Sequence, residues 1–387
     1  MKKRPERAIE REIKQFKEFI KERRIHWTED EKIELETDKF DNDESLENSD
    51  IHFSEMRHFL IDQESTDYIK DGCKIIGFDE SSNTFSGTYA RLASFKFGEG
   101  QLAYKDGKYE IQKIMYRPIT SYIEDNEHKL IIYKTVIENF VKTIKSVFYK
   151  GNLKQKIDDL EEWYEETYSK KIDDAINNHA FYYPSMGHVV DRIRTADESL
   201  KSLIRIKEES NWGKNKNLIF LGDGIQMFRQ HIFPPTAFTE FFYRFIETYK
   251  INYFSFSKTC RLRDSQGNFL LPIWSEILKE KKAYLVELPD LSIYTKSKAY
   301  LAKLTDDGSA LRFDIPDFLD TKDGLRIIKN LIPYSPRGYP LCLVGAHEAS
   351  TLLVSEYGKL EGQFFELKHD EKTKKYSQSW RKEVLGE

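Results

Sequence analysis

The sequence predicts an α/β protein built on a mixed sheet flanked by helices. Three observations carry that prediction. Two short apolar runs, Lys74–Phe78 and Leu218–Leu221, are too brief for helices and each stops at an aspartate, Asp79 and Asp223. Thr88–Phe97 alternates apolar and polar residues, as a half-buried strand does. Between and beyond these runs, apolar residues recur at helical spacing.

In chain order, residues 5–24 place Ile9, Ile13, Phe16, Phe19 and Ile20 on one helical face, with Lys, Arg and Glu elsewhere. Residues 29–50 hold eleven acidic residues against two lysines, which predicts a flexible linker. We therefore expect an N-terminal unit over residues 1–50 and a folded domain over 51–387. In that domain Ile75–Phe78 reads as the first strand, Thr88–Phe97 as the second and Glu110–Tyr116 as the third, an antiparallel meander. Residues 130–185 change to helix period, through Ile137, Phe140, Val141, Ile144 and Val147. A Gly151-Asn152 break then precedes a second helix. This predicts an inserted helical hairpin, suited to a dimerisation arm.

A helix over about 188–209 follows, its stripe formed by Val189, Val190, Ile193, Ala196, Leu200, Leu203 and Ile204. Asp197 lies on or beside that stripe and Glu198 just off it, one turn after Arg194. The strand Leu218–Leu221 comes next. Gly222 and Gly224 flank Asp223 and allow a sharp change of backbone direction at the strand end. A Phe-rich helix around 236–249 precedes a strand at Ile251–Phe256, which leads into the basic residues Lys258, Arg261 and Arg263. Ser297–Leu304 and Ala310–Ile315 read as a hairpin around Asp306-Asp307-Gly308. The chain closes on Tyr339-Pro340 and Ala346-His347-Glu348, with His347 expected near the start of a helix running through Leu352, Leu353 and Val354.

Composition narrows the function classes. Of 387 residues, 39% are hydrophobic and 33% charged, enough for a core under a soluble surface. There is no run of about 18 apolar residues of the kind a transmembrane helix needs. The charged N-terminus leads into an amphipathic stretch rather than an apolar signal core. Cys73, Cys260 and Cys342 fit no disulfide or zinc spacing, so a reducing, cytoplasmic setting is expected. A net charge of −4 and a pI near 6.2 place any nucleic-acid contact in local basic patches, such as Lys258, Arg261 and Arg263. The sequence has no phosphate-binding P-loop, no Gly-x-Ser-x-Gly elbow and no His-Glu-x-x-His helix.

What remains is a constellation of acids. Asp79 and Asp223 are expected at two strand ends, with Glu198 or Asp197 on a helix. Carboxylates on a rigid sheet can hold divalent ions that activate water in phosphodiester hydrolysis. Lys258 can bind a phosphate oxygen, and His347 can complete a shell suited to Mn²⁺ or move a proton.

At these residues the sequence resembles the NurA nuclease family, which works with the HerA hexameric ATPase. The resemblance rests on Ile-Ile-Gly-Phe-Asp79-Glu-Ser-Ser and Leu-Ile-Phe-Leu-Gly-Asp223-Gly-Ile. It continues with Phe-Ser-Lys258-Thr, Leu-Arg312-Phe-Asp-Ile-Pro316 and Tyr339-Pro340 through Ala346-His347-Glu348. It implies an RNase H-like fold and a deoxyribonuclease using Mn²⁺ or Mg²⁺, with two ions. It also implies a homodimer with DNA and a HerA-like motor as partners, in DNA end processing or antiviral defence; no membrane association is expected, for want of a long apolar run. The implied metal ligands are Asp79, Glu198, Asp223 and His347, with Asp197 the alternative to Glu198 and Lys258 a further catalytic residue. Lys258, Arg261, Arg263 and Tyr339 are the expected DNA contacts. Two positions depart from the family pattern: Glu80 stands where a glycine is usual, and Gly222 where an apolar residue is usual. The competing expectation is a non-catalytic adaptor that guides DNA into the motor.

Overall fold

Among the described residues ten strands form one sheet, and a run of five neighbouring strands at one end sets the class. The structure, a computed structural model, describes residues 32–33, 51–52, 58–60, 73–86, 91–105, 108–115, 119–123, 138–149, 153–170, 186–215, 217–224, 236–258, 271–272, 275, 283–288, 297–356 and 358. Lys32–Ile33 (β1) pairs antiparallel with Ile51–His52 (β2), so part of the expected acidic linker is paired to the start of the domain. The expected helix over residues 5–24 lies outside the described residues.

The sheet begins in sequence with His58–Leu60 (β3), followed by Lys74–Ser86 (β4), Arg91–Lys105 (β5), Lys108–Met115 (β6) and Ile119–Ile123 (β7). Strands β4, β5 and β6 are the expected antiparallel meander, and β7 pairs with β5. Residues 138–148 (α1) and Lys154–Trp163 (α2) form the expected hairpin, which continues as a wider turn through Tyr164–Ser169. The hairpin does not project as an arm. Ile144, Phe148, Leu153, Ile157 and Leu160 are buried in the main core, because its apolar stripe needs the sheet to cover it. Ile137 lies outside the described residues.

The long helix Met186–Ser210 (α3) leads to Leu218–Asp223 (β8), which lies parallel to β4. Thr236–Thr248 (α4) then leads to Tyr253–Ser257 (β9), parallel to β8. The order β6-β5-β4-β8-β9, with three antiparallel strands followed by two parallel ones reached through helices, is the RNase H-like arrangement. Tyr284–Glu287 (β10), Ser297–Lys303 (β11) and Leu311–Pro316 (β12) extend it antiparallel beyond β9, with β3 at the far edge. Thr321–Leu331 (α5) and Leu341–Ser350 (α6) complete the described helices.

The period of two along each strand sends side chains to two separate cores. Ile76, Phe78, Phe95, Phe97 and Phe220 face α1 to α4, where Phe148 meets Phe241 and Phe245 edge-on. Ile75, Leu221, Phe254, Phe256 and Phe313 face the other way, among the side chains of α5 and α6. The fold is therefore three layers, with helices on both faces of a mixed sheet.

Two local expectations are corrected. The first strand does not end at Asp79: β4 runs on to Ser86, because β5 keeps pairing with it up to Ser86↔Arg91. What ends near Asp79 is the pairing with β8, whose last partners are Phe78 and Gly222. The final helix also starts earlier than expected. It begins at Leu341 behind Pro340, so His347 sits in its last turn, and Leu353 and Val354 are exposed beyond it. Proline fixes its own φ and keeps Tyr339 extended, which makes Pro340 a natural helix start.

Candidate metal centre

The site forms where β4 and β8 part. Asp79 and Asp223 each directly follow the last residue through which β4 and β8 pair, so adjacent parallel strands hold both carboxylates on one face of the sheet. That face is the one α6 covers, and α6 lies unusually close. A Cβ added at Gly77 would stand 2.8 Å from the carbonyl of Cys342, and one at Gly98 2.2 Å from that of Ala346. At Gly100 it would stand 2.0 Å from the carbonyl of Cys342. These three glycines on β4 and β5 make a trough into which the helix backbone sinks. Glycine inside a strand commonly marks such an approach.

The trough delivers His347 to the rim. Its Nδ1 lies 2.7 Å from Asp79 Oδ2, and Ser350 Oγ donates to the same oxygen at 3.2 Å. The Ser81 hydroxyl donates in turn to the Ser350 carbonyl. Asp79, Asp223 and His347 each offer a ligand atom, and these atoms lie within 4.8 Å of one another. Exposure is graded across the trio: the side chains of Asp79 and Asp223 are 10% and 17% accessible, that of His347 56%. The site thus opens to solvent on the helix side and is anchored on the sheet side.

Lys258, just past β9, places Nζ 3.3 Å from Asp223 Oδ2 and 4.2 Å from the centre of the Tyr339 ring. Tyr339 was expected as a DNA contact, yet its hydroxyl is buried beside Asp223 and Asp79. Burial, and then those two carboxylates, hold the phenol well above its ordinary acidity range. Arg261 and Arg263 lie outside the described residues.

Glu198 is not a member of the group of three. Its carboxylate pairs with Arg194 at 2.9 Å, and the same guanidinium donates to the Glu80 carbonyl at 3.0 Å. Asp197 pairs with Lys201, whose ammonium also reaches Glu80 Oε1 at 2.6 Å. Glu80, next to Asp79, points to the opposite face of the sheet and its side chain is fully buried. Burial first, and then the Asp197 carboxylate, push its carboxyl up to about 9, against the opposing pull of Lys201. Both departures from the family pattern thus have a local reason. Glu80 is held by α3, and Gly222 leaves room for the Tyr253 hydroxyl, which a Cβ there would meet at 2.2 Å.

Ser350, Ser81 and the glycine trough escaped the reading of the sequence. The available signal was Gly98-x-Gly100 inside an alternating strand, with Gly77 in the run before Asp79.

Fold and rim together define the class: an RNase H-like α/β protein with a candidate divalent-metal centre at the parting of two parallel strands. Residues 247–351 match the family model of the NurA domain. Among solved structures, the NurA nuclease from Sulfolobus solfataricus is similar over 82% of this chain and 89% of its own, at 14% identity and a TM-score of 0.39. A structure of NurA bound to dAMP and manganese is similar over 78% of this chain and 90% of its own, at 10% identity and a TM-score of 0.33. No curated protein matches the chain. Among the described residues, no helix is long and apolar enough to cross a membrane.

Proposed function

We propose that the protein is a metal-dependent deoxyribonuclease that cleaves phosphodiester bonds at the rim formed by Asp79, Asp223 and His347. One observation carries the reading: three donors from β4, β8 and α6, far apart in sequence, converge within 4.8 Å. Two carboxylates and an imidazole suit Mn²⁺, with Mg²⁺ the harder alternative. When bound, such an ion supplies Lewis-acid stabilisation and an activated water.

The protein's own groups do the rest. Asp79 and Asp223 give a rigid, negatively charged seat, because both stand on neighbouring strands and not on a loop. His347 closes the seat from the exposed side. The Lys258 ammonium, lying against Asp223 and the Tyr339 ring, is placed to exchange that carboxylate for a phosphate oxygen of DNA. Glu198 acts on the seat through Arg194 and the Glu80 carbonyl. A HerA-like hexameric ATPase as partner, a homodimeric assembly and a cytoplasmic role in end processing or antiviral defence complete the proposal. They follow from the NurA resemblance.

The test is cleavage of linear DNA with Mn²⁺, compared with Asp223→Ala and with chelator. The reading expects chelator-sensitive cleavage that falls on the order of 10³-fold in the variant, about 4 kcal/mol of barrier, with unchanged circular dichroism. An Asp223→Ala protein that keeps full, chelator-sensitive cleavage overturns it. DNA binding without cleavage at any metal concentration favours the adaptor instead.

A further inference from the structure

The trough that seats α6 ends in a buried cation. Lys96 follows Gly100 and Gly98 on the same face of β5, with its side chain only 1% exposed. Its ammonium donates to the Thr351 carbonyl at 3.1 Å and pairs with Glu356 Oε2 at 2.7 Å. That carboxylate oxygen also accepts from the Leu353 backbone N–H at 2.9 Å. Ser81 stands directly across the strand pair from Lys96, and its hydroxyl serves the preceding carbonyl, that of Ser350. Two successive carbonyls at the end of α6 are thus held by two residues facing one another on β4 and β5.

A helix leaves its last carbonyls without intrahelical partners, and its C-terminal pole carries partial negative charge. A cation fixed there settles both. Lys96 belongs to the sheet, so it also fixes how far α6 slides along the trough and how its last turn is rotated. His347 and Ser350, which both meet the Asp79 carboxylate, lie on that turn. Thr351, whose carbonyl Lys96 holds, donates its own N–H to the His347 carbonyl at 3.0 Å. Lys96 and Glu356 both lie outside the matched domain segment.

We propose that Lys96, locked by Glu356, is a positioning residue for His347, holding the last turn of α6 in the register that lets the imidazole join Asp79 and Asp223. The inference rests on the reading of those three residues as a metal seat.

The experiment compares the wild-type protein with Lys96→Met, which keeps the stem and removes the charge. Glu356 is partly exposed and water can solvate it once it loses Lys96, so the variant is expected to fold. Two quantities are measured: Mn²⁺ affinity by calorimetry, and hydrogen exchange of the amides around Thr351 in metal-free protein. The expected result is Mn²⁺ binding weakened about 10–100-fold, as for other outer-shell supports, with exchange at the last turn accelerated on the order of tenfold. A folded Lys96→Met with wild-type Mn²⁺ affinity overturns the proposal, even if its melting temperature is lower. Should that variant not fold, Glu356→Gln takes its place, with a several-fold loss of affinity expected and an unchanged affinity decisive against. Asp223→Asn separates the two levels. If it leaves Mn²⁺ binding intact, the metal seat itself is wrong. If it abolishes binding while Lys96→Met does not weaken it, only the positioning role falls.

Discussion

Asp79 and Glu80 are neighbours in the chain and opposites in the molecule. Asp79 faces α6, across a trough of glycines, and meets a histidine, a serine and a second aspartate at an open rim. Glu80 faces α3, where its carboxyl accepts from the Lys201 ammonium, which also pairs with the nearby Asp197. The contrast extends along each helix. Helix α3 is stitched to the sheet by charges: Lys74 to Glu209, Lys201 to Glu80 and Arg205 to Glu99. Helix α6 is seated by close backbone contact, where glycines replace the side-chain layer. A buried acid engaged by a cation helps to hold a helix in place and offers less to a ligand, because the partner occupies one of its oxygens. The rim, where Asp79 and Asp223 reach solvent at 10% and 17% beside an exposed imidazole, keeps ligand atoms open to an incoming ion. One residue of sequence separation decides which of the two an acid becomes.

This comparison can be broken, most severely at the trough. Gly98→Ala puts a methyl group 2.2 Å from the Ala346 carbonyl and 2.4 Å from the Ser350 nitrogen, so α6 must lift. Overpacking of this kind costs about 1–3 kcal/mol, and the displaced His347 is expected to weaken Mn²⁺ binding by at least the ~100-fold upper range of outer-shell effects. Calorimetry on the folded variant checks it, and wild-type affinity there would deny the trough its role.

The α3 side gives a smaller effect. Glu198→Gln loosens Arg194, which holds the Glu80 carbonyl beside Asp79, and a fall of about 10–100-fold in cleavage rate is expected. A loss as complete as that of Asp223→Ala would place Glu198 among the ligands and dissolve the division between the two faces.

The mildest expectation concerns pH. Glu80 holds its proton in the folded state up to about 9, whereas the unfolded chain releases it near the usual carboxyl value. Its contribution to stability is therefore complete below that ordinary value and is lost progressively as pH climbs towards 9. Glu80→Gln removes the ionisation but keeps the shape, so its melting temperature should fall less than the wild type's between pH 5 and 9. Parallel curves would mean that Glu80 stays ionised beside Lys201.

Much of the fold was legible in the chain. The apolar run of β8, the alternation of β5 and the stripe of α3 each carry their period openly; β8 and α3 lie close to where those periods put them, while β5 starts at Arg91 and runs on to Lys105, past the expected end at Phe97. Asp79, Asp223 and His347 were likewise visible as candidates, because polar residues that interrupt apolar runs are conspicuous. The end of β4 was not legible. Ser81, Ser82 and Asn83 look like a turn, and only the partner strand β5 keeps them extended. Nor was α6, whose Leu341-Cys-Leu-Val opening reads equally as a buried strand.

By itself the sequence determined which segments are strands and helices and which acids stand out, because periodicity is a local property of side-chain order. Only the tertiary structure decided which face each acid takes, which ones an opposing cation silences, and how near α6 comes. Those outcomes depend on residues brought together across distances such as the 268 positions between Asp79 and His347. No local pattern records such a meeting, since close packing and charge pairing are settled only when the layers close on one another.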